Sequence, residues 1–121
     1  MSSRKRVLIV EPDPAAREAT LSYLTSCGHE VMAVADERSA ILAAASFAPS
    51  VIVLEPLVSR YPRSFVEVLR QTLSHDVLVL ATSGTPLHAA WETVFDLALQ
   101  KPFALDELHN LLAFWSMVHA A

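Results

Sequence analysis

VIVLEP, residues 51–56, is a run of four apolar residues, Val51 to Leu54, that ends on a carboxylate and a proline. Continuous rather than alternating hydrophobicity marks a strand covered on both faces, as in parallel sheets. Glu55 then stands at the carboxyl end of that strand, the rim where open α/β sheets collect their ligands. Outward in both directions the pattern recurs: VLIV (Val7–Val10), VMAVA (Val31–Ala35), VLVLA (Val77–Ala81) and the shorter LAL (Leu97–Leu99).

Periodic segments separate these runs. Before the first, Asp13 is a good N-cap and Pro14 suits an opening helical turn. Ala16, Leu21, Tyr23 and Leu24 supply its apolar positions, and Gly28 is placed to stop it in a left-handed turn. The second, ERSAILAAASF, carries Ala40, Ile41, Ala44 and Ala48 on one side, ahead of Pro49. In the third, Phe65, Val68 and Leu69 share a face. The fourth, PLHAAWETVF, sets Leu87, Ala90, Trp91 and Val94 on one stripe. The last, ALDELHNLLAFWSMV, aligns Leu105, Leu108, Leu111, Leu112, Trp115 and Val118. The order is βαβαβαβαβα in one domain, 1–121, without repeats or a linker. Such alternation predicts an α/β fold built on a doubly wound five-stranded parallel sheet, (βα)5.

Composition narrows the function. The chain has 121 residues, 53% of them hydrophobic and 18% charged, enough for a buried core and against disorder. A net charge of −4 and a pI near 5.6 give no support for nucleic-acid binding. The single Cys27 excludes an internal disulfide and a cysteine zinc cluster. SSRKR is basic, but VLIV behind it is shorter than the ~7–15 apolar residues of a signal peptide, and no run reaches the ~20 that span a bilayer. A cytoplasmic protein is expected.

At the strand ends stand Glu11-Pro12-Asp13, Glu55-Pro56, Thr82-Ser83-Gly84 and Lys101-Pro102-Phe103. Acids and a lysine converging on one rim suit divalent-cation and phosphoryl chemistry: hard Mg²⁺ takes oxygen ligands, a carboxylate accepts a phosphoryl group, a lysine steadies the charge. With VLIVEPDPAAR, PSVIVLE and LQKPFALDEL in this order on these elements, the chain resembles the receiver domain of bacterial response regulators over nearly its whole length. The resemblance implies a flavodoxin-like sheet of strand order 2-1-3-4-5 and a place in two-component phosphorelay signalling. It also implies a set of working residues. In that family an aspartate ending the third strand is phosphorylated by a histidine kinase, and two acids after the first strand hold Mg²⁺. A hydroxyl on the fourth strand and a lysine after the fifth read the phosphoryl group, and an aromatic residue in the fifth strand moves with the switch.

Carried onto this sequence, Lys101 matches, and Lys101-Pro102 falls where the family has a cis peptide. Glu55 replaces the phosphoacceptor aspartate. Glu11 takes the first acidic position and Pro12 the second, with Asp13 adjacent. Ala81 falls at the hydroxyl position, although a one-residue shift would substitute Thr82, and Ala98 takes the aromatic position. Glutamate is longer than aspartate by about 1.5 Å, and near-attack geometry is sensitive to about 1 Å. Pro12 brings neither carboxylate nor N–H, and Asp13 is better suited to capping than to metal. Weak or absent Mg²⁺ binding is expected, with Glu11, Asp13 and Glu55 the only candidates for it. Glu55 is read as a fixed charge facing Lys101, with mimicry of a phosphorylated state as the competing account.

His29, His75, His88, His109 and His119 show no metal-ligand spacing on one predicted face, and most read as solvated. Ser59, Ser83 and Cys27 lack a nucleophile-base arrangement. Met117, Phe114 and Phe95 lie off the core stripes of the last two predicted helices and suggest an interaction surface. The resulting expectation is a pseudo-receiver: not an enzyme, and acting through a histidine kinase, another signalling protein or a second copy of itself. A homodimer would use the fourth helix, fifth strand and last helix. Two other readings stand beside it: a phosphorylatable single-domain response regulator using Glu55 or Asp13, and a flavodoxin-like small-molecule-binding module.

Overall fold

The computed structural model describes residues 4–87 and 93–118. Strands β1 (Arg6–Val10), β2 (Glu30–Val34), β3 (Val51–Leu54), β4 (Leu78–Ser83) and β5 (Leu97–Gln100) form one parallel sheet in the order β2-β1-β3-β4-β5. Both β1 and β3 are buried along their apolar runs, which is why those runs do not alternate. Edge strand β5 does alternate, with Ala98 and Gln100 exposed. The strand order reverses between β1 and β3, so Glu11 and Glu55 emerge at the topological switch point.

Helices α1 (Pro14–Ser26), α2 (Glu37–Phe47), α3 (Pro62–Thr72) and α4 (Leu105–Val118) cover the two faces. Asp13 caps α1, its carboxylate accepting from the Ala16 N–H at 2.9 Å, and Asp36 caps α2 through the Ser39 N–H at 2.8 Å. Gly28 takes φ +96° after α1, a conformation open to glycine. Ala48 ends α2 in the left-handed region at φ 50°.

Alternate residues of each strand feed two cores. Leu8, Val10, Ile52, Leu54 and Val79 pack with Ala40 and Ala44 of α2 and with Phe65 and Leu69 of α3. Val7, Ile9, Val51, Val53 and Leu80 pack with Leu24 of α1 and with Leu108 and Leu112 of α4. Three expectations change. On α3, Val66 rather than Val68 joins Phe65 and Leu69, and Val68 is exposed. On α4, the apolar stripe runs out at Val118, which is exposed. The predicted fourth helix falls largely on residues 88–92, outside those described, and its flanks, Pro86–Leu87 and Thr93–Phe95, are not helical. Without that helix frame Phe95 is not on an outer flank; it is buried in the core beside α3 and leaves the predicted interaction surface.

Two histidines, far apart in sequence, meet between the α1–β2 turn and α4. His29 is 6% exposed, its Nδ1 accepting from the Lys5 N–H at 3.0 Å. In the neutral ring the hydrogen therefore sits on Nε2, which faces His109 Nδ1 at 3.4 Å. The ring centroids are 5.4 Å apart. Sequence spacing gave no sign of this pair because only the packing of α4 against α1 creates it; His88 and His119 lie outside the described residues. Burial pushes the His29 pKa below its ordinary 6.5, and the neighbouring His109 and Lys5 push it the same way. The neutral ring is the native form, so its stabilising effect is complete above 6.5 and is lost as pH falls through the folded-state pKa. Urea denaturation of the wild type should show lower stability at about pH 5 than at about pH 7. His29→Asn, which keeps an acceptor for the Lys5 N–H, should flatten that difference; an unchanged slope would assign it to other groups.

Candidate functional site

The two-residue period of a strand decides which rim residues meet. Val7 and Ile9 on β1, Val51 and Val53 on β3, and Leu78 and Leu80 on β4 face α1 and α4, as do Leu97 and Leu99 on β5. Continuing each series by one step brings Glu11, Glu55, Thr82 and Lys101 to that same face at the carboxyl ends. The backbone fixes them there. Glu11 N donates to Val34 O at 3.0 Å, Glu55 N to Val10 O at 2.9 Å and Lys101 N to Ser83 O at 2.6 Å, so each extends the ladder by one residue.

Lys101 closes the site. Its Nζ donates to Glu11 Oε1 at 2.5 Å and to Glu55 Oε1 at 2.9 Å. Both carboxylate side chains are 8% exposed, against 28% for Lys101. Their second oxygens are also engaged. Glu11 Oε2 accepts from the Asp13 N–H at 3.1 Å, and Glu55 Oε2 accepts from the Leu57 N–H at 3.0 Å, capping a short 3₁₀ turn at Pro56–Val58. The extra methylene of Glu55 is thus folded back onto its own loop while the same carboxylate reaches the lysine. Arg17 braces the β1–α1 loop from below, Nη1 donating to Glu11 O at 2.9 Å and Pro12 O at 3.3 Å. No spacing rule singles Arg17 out, because its partners are main-chain carbonyls.

Burial alone would lower the Lys101 pKa, but the hydrogen bonds and charges of Glu11 and Glu55 outweigh it and hold the pKa above its ordinary 10.5. The charge contributes stability at every pH below 10.5, and that contribution is lost only as pH rises through the folded-state value. Two carboxylates against one ammonium leave the cluster with a net negative charge.

Other predicted positions are distributed differently. Asp13 is spent on capping α1. Ala81 is fully buried on the opposite face with the α3-side core, so the hydroxyl at the rim belongs to Thr82, one residue later than spacing placed it. Ala98 pairs with Ala81 on β5 and is exposed. Pro102 follows Lys101 through a cis peptide bond. Phe114 and Met117 are exposed on α4, 58% and 73%, and remain as an apolar pair without Phe95. Among the described residues no three His, Cys, Asp or Glu side chains form a group able to hold a metal ion, and no helix is long and apolar enough to cross a membrane.

No family model matches the chain. It is 34% identical over 109 residues to the response regulator MprA of Mycolicibacterium vanbaalenii, an alignment covering 85% of this chain and 46% of that protein. The chain therefore spans about half the length of the curated relative it matches. Among solved structures it superimposes on a CheY-like receiver domain from Methylobacillus flagellatus with a TM-score of 0.82 at 23% identity, covering 93% of this chain and 98% of that one. The receiver domain of the sensor histidine kinase PA1611 from Pseudomonas aeruginosa gives a TM-score of 0.78 at 24% identity over 93% and 98% of the two chains. That structure holds a magnesium ion in its active-site cleft.

The clamp makes a direct prediction. Lys101→Met removes the cation and leaves two nearly buried carboxylates facing each other, which should destabilise the fold by about 1–3 kcal/mol. Adding Glu55→Gln to Lys101→Met should recover part of that loss, because one of the opposed charges is gone. Urea denaturation of the two single variants and the double variant measures the coupling; strict additivity would show that the carboxylates do not act through Lys101.

Proposed function

The chain is a receiver domain of the response-regulator type, and from that premise we propose that it works in two-component signalling as a pseudo-receiver, through protein contacts and without the usual phosphorylation. The observation that carries this reading is the closed cluster at the rim. Lys101 is already neutralised by Glu11 and Glu55, and every oxygen of the two carboxylates has a donor. A phosphoacceptor must offer an oxygen in line with the incoming phosphorus; Glu55 has one oxygen on a lysine and the other on a main-chain N–H.

The residues present do not fit Mg²⁺. The ion needs near-octahedral oxygen coordination. Here Pro12 contributes no carboxylate, Asp13 caps a helix, and Glu11 and Glu55 are bridged by an ammonium that occupies the place of a cation. Glu55 is thus a fixed charge paired with Lys101. Ala98 supplies no aromatic side chain to move in response. The domain is accordingly non-enzymatic, cytoplasmic and constitutive in conformation. Its partner is a histidine kinase, another signalling protein or a second copy, and the exposed Phe114 and Met117 of α4 offer the contact.

Incubation with acetyl phosphate and Mg²⁺ followed by intact-mass measurement should show no added phosphoryl group. A stoichiometric, acid-stable and base-labile gain would overturn the reading. Glu55→Gln keeps the acceptor toward Lys101 and should leave partner affinity and oligomeric state unchanged by calorimetry and light scattering. Weaker association would instead make Glu55 a built-in mimic of the phosphorylated state.

A further inference from the structure

Beneath the Lys101 cluster, on the sheet face that carries α1 and α4, lies a cavity of about 330 Å³. Its origin is readable in side-chain size. Helix α1 turns Ala16, Ala19 and Thr20 toward Ile9 and Val53, while Phe103 and Leu105 form the opposite wall. The cavity opens to solvent on one side, where Ala19 is exposed. Two alanines stand where larger aliphatic side chains would close the gap.

Among the lining groups the Lys101 ammonium uses two of its three N–H donors, and one hydroxyl has no partner. The Thr20 hydroxyl is spent on Ala16 O at 2.8 Å. Thr82 lines the cavity, is 4% exposed, and its hydroxyl has no hydrogen-bond partner among the described residues. Among those residues no fully enclosed side-chain polar atom is left unpaired. The Thr82 hydroxyl must therefore border open space, and the cavity is the space it borders. Glu11 and Lys101 stand at the same wall, part of a cluster with net negative charge.

These features define a ligand. The walls call for an apolar body, the lone hydroxyl for one hydrogen-bonding head, and the charge of the cluster disfavours an anion. A closed cavity of about 150 Å³ accepts benzene, so by volume this open one has room for a molecule of about two fused rings. The geometry points to a binding site for a neutral, two-ring-sized apolar molecule bearing one hydroxyl, seated between α1 and the β5–α4 turn with its head on Thr82.

The test uses the full chain and three probes, 2-naphthol, naphthalene and 2-naphthoate, followed by two-dimensional amide NMR titration. 2-Naphthol should bind saturably with a Kd below about 1 mM, with shifts centred on Ala16, Ala19, Thr82 and Phe103, and more tightly than 2-naphthoate. Thr82→Val should weaken 2-naphthol by about three- to tenfold and leave naphthalene unchanged. Ala19→Leu, which fills the cavity, should abolish binding of both; Ala16→Met serves the same purpose if Ala19→Leu does not fold, and the spectrum itself reports folding. Absence of saturable binding, binding that survives both filling variants, or tighter binding of 2-naphthoate would each overturn the proposal.

Discussion

One ammonium group organises the functional end of this molecule. Lys101 extends from the end of β5 across β4 to carboxylates at the ends of β1 and β3, joining strands that are not all neighbours. Remove that cation and two nearly buried acids face each other at the point where the sheet reverses its strand order. The rest of the rim is arranged around supplying them with donors. Main-chain N–H groups of Asp13 and Leu57 satisfy the outer oxygens, and the loops carrying those N–H groups are in turn set by a helix cap and a 3₁₀ turn. Charge-assisted hydrogen bonds of this kind are stronger than neutral ones, and a buried charge is tolerated only when such partners are complete.

The proposed absence of switching rests on the same network. A switch needs two arrangements of similar free energy that a ligand can bias. Here the lysine has both carboxylates within hydrogen-bonding distance, and β5 carries Ala98. The nearby cavity follows from a separate economy of side-chain volume on α1, and it leaves open space beside a region that is otherwise tightly bonded.

Much of this was legible before any coordinates. The apolar runs gave the strands because burial on both faces imposes no alternation, and Asp13, Pro14 and Gly28 marked the limits of α1 because capping and left-handed turns select those residues. The segment ahead of β5 was less legible. Its helical spacing placed Phe95 on an outer flank, whereas the chain there turns into β5 and buries the ring beside α3. Val66 displaced Val68 for a related reason: periodicity gives a face, but the neighbouring helix decides which edge of it is covered. At the site, Glu11, Glu55 and Lys101 were identifiable by their positions at strand ends. Thr82 was named only as the one-residue alternative to Ala81, since one residue of register moves a side chain from one face of a sheet to the other.

The sequence by itself determined the order of the strands and which residues stand at the strand ends, Glu11, Pro12, Glu55 and Lys101 among them. Those are matters of local hydrophobic pattern and residue chemistry. Only the tertiary structure decided that one lysine serves two acids, that Thr82 rather than Ala81 faces them, that His29 meets His109, and that small residues on α1 leave a cavity. Each of these depends on register or on helix packing between segments distant in the chain, and no local pattern encodes either.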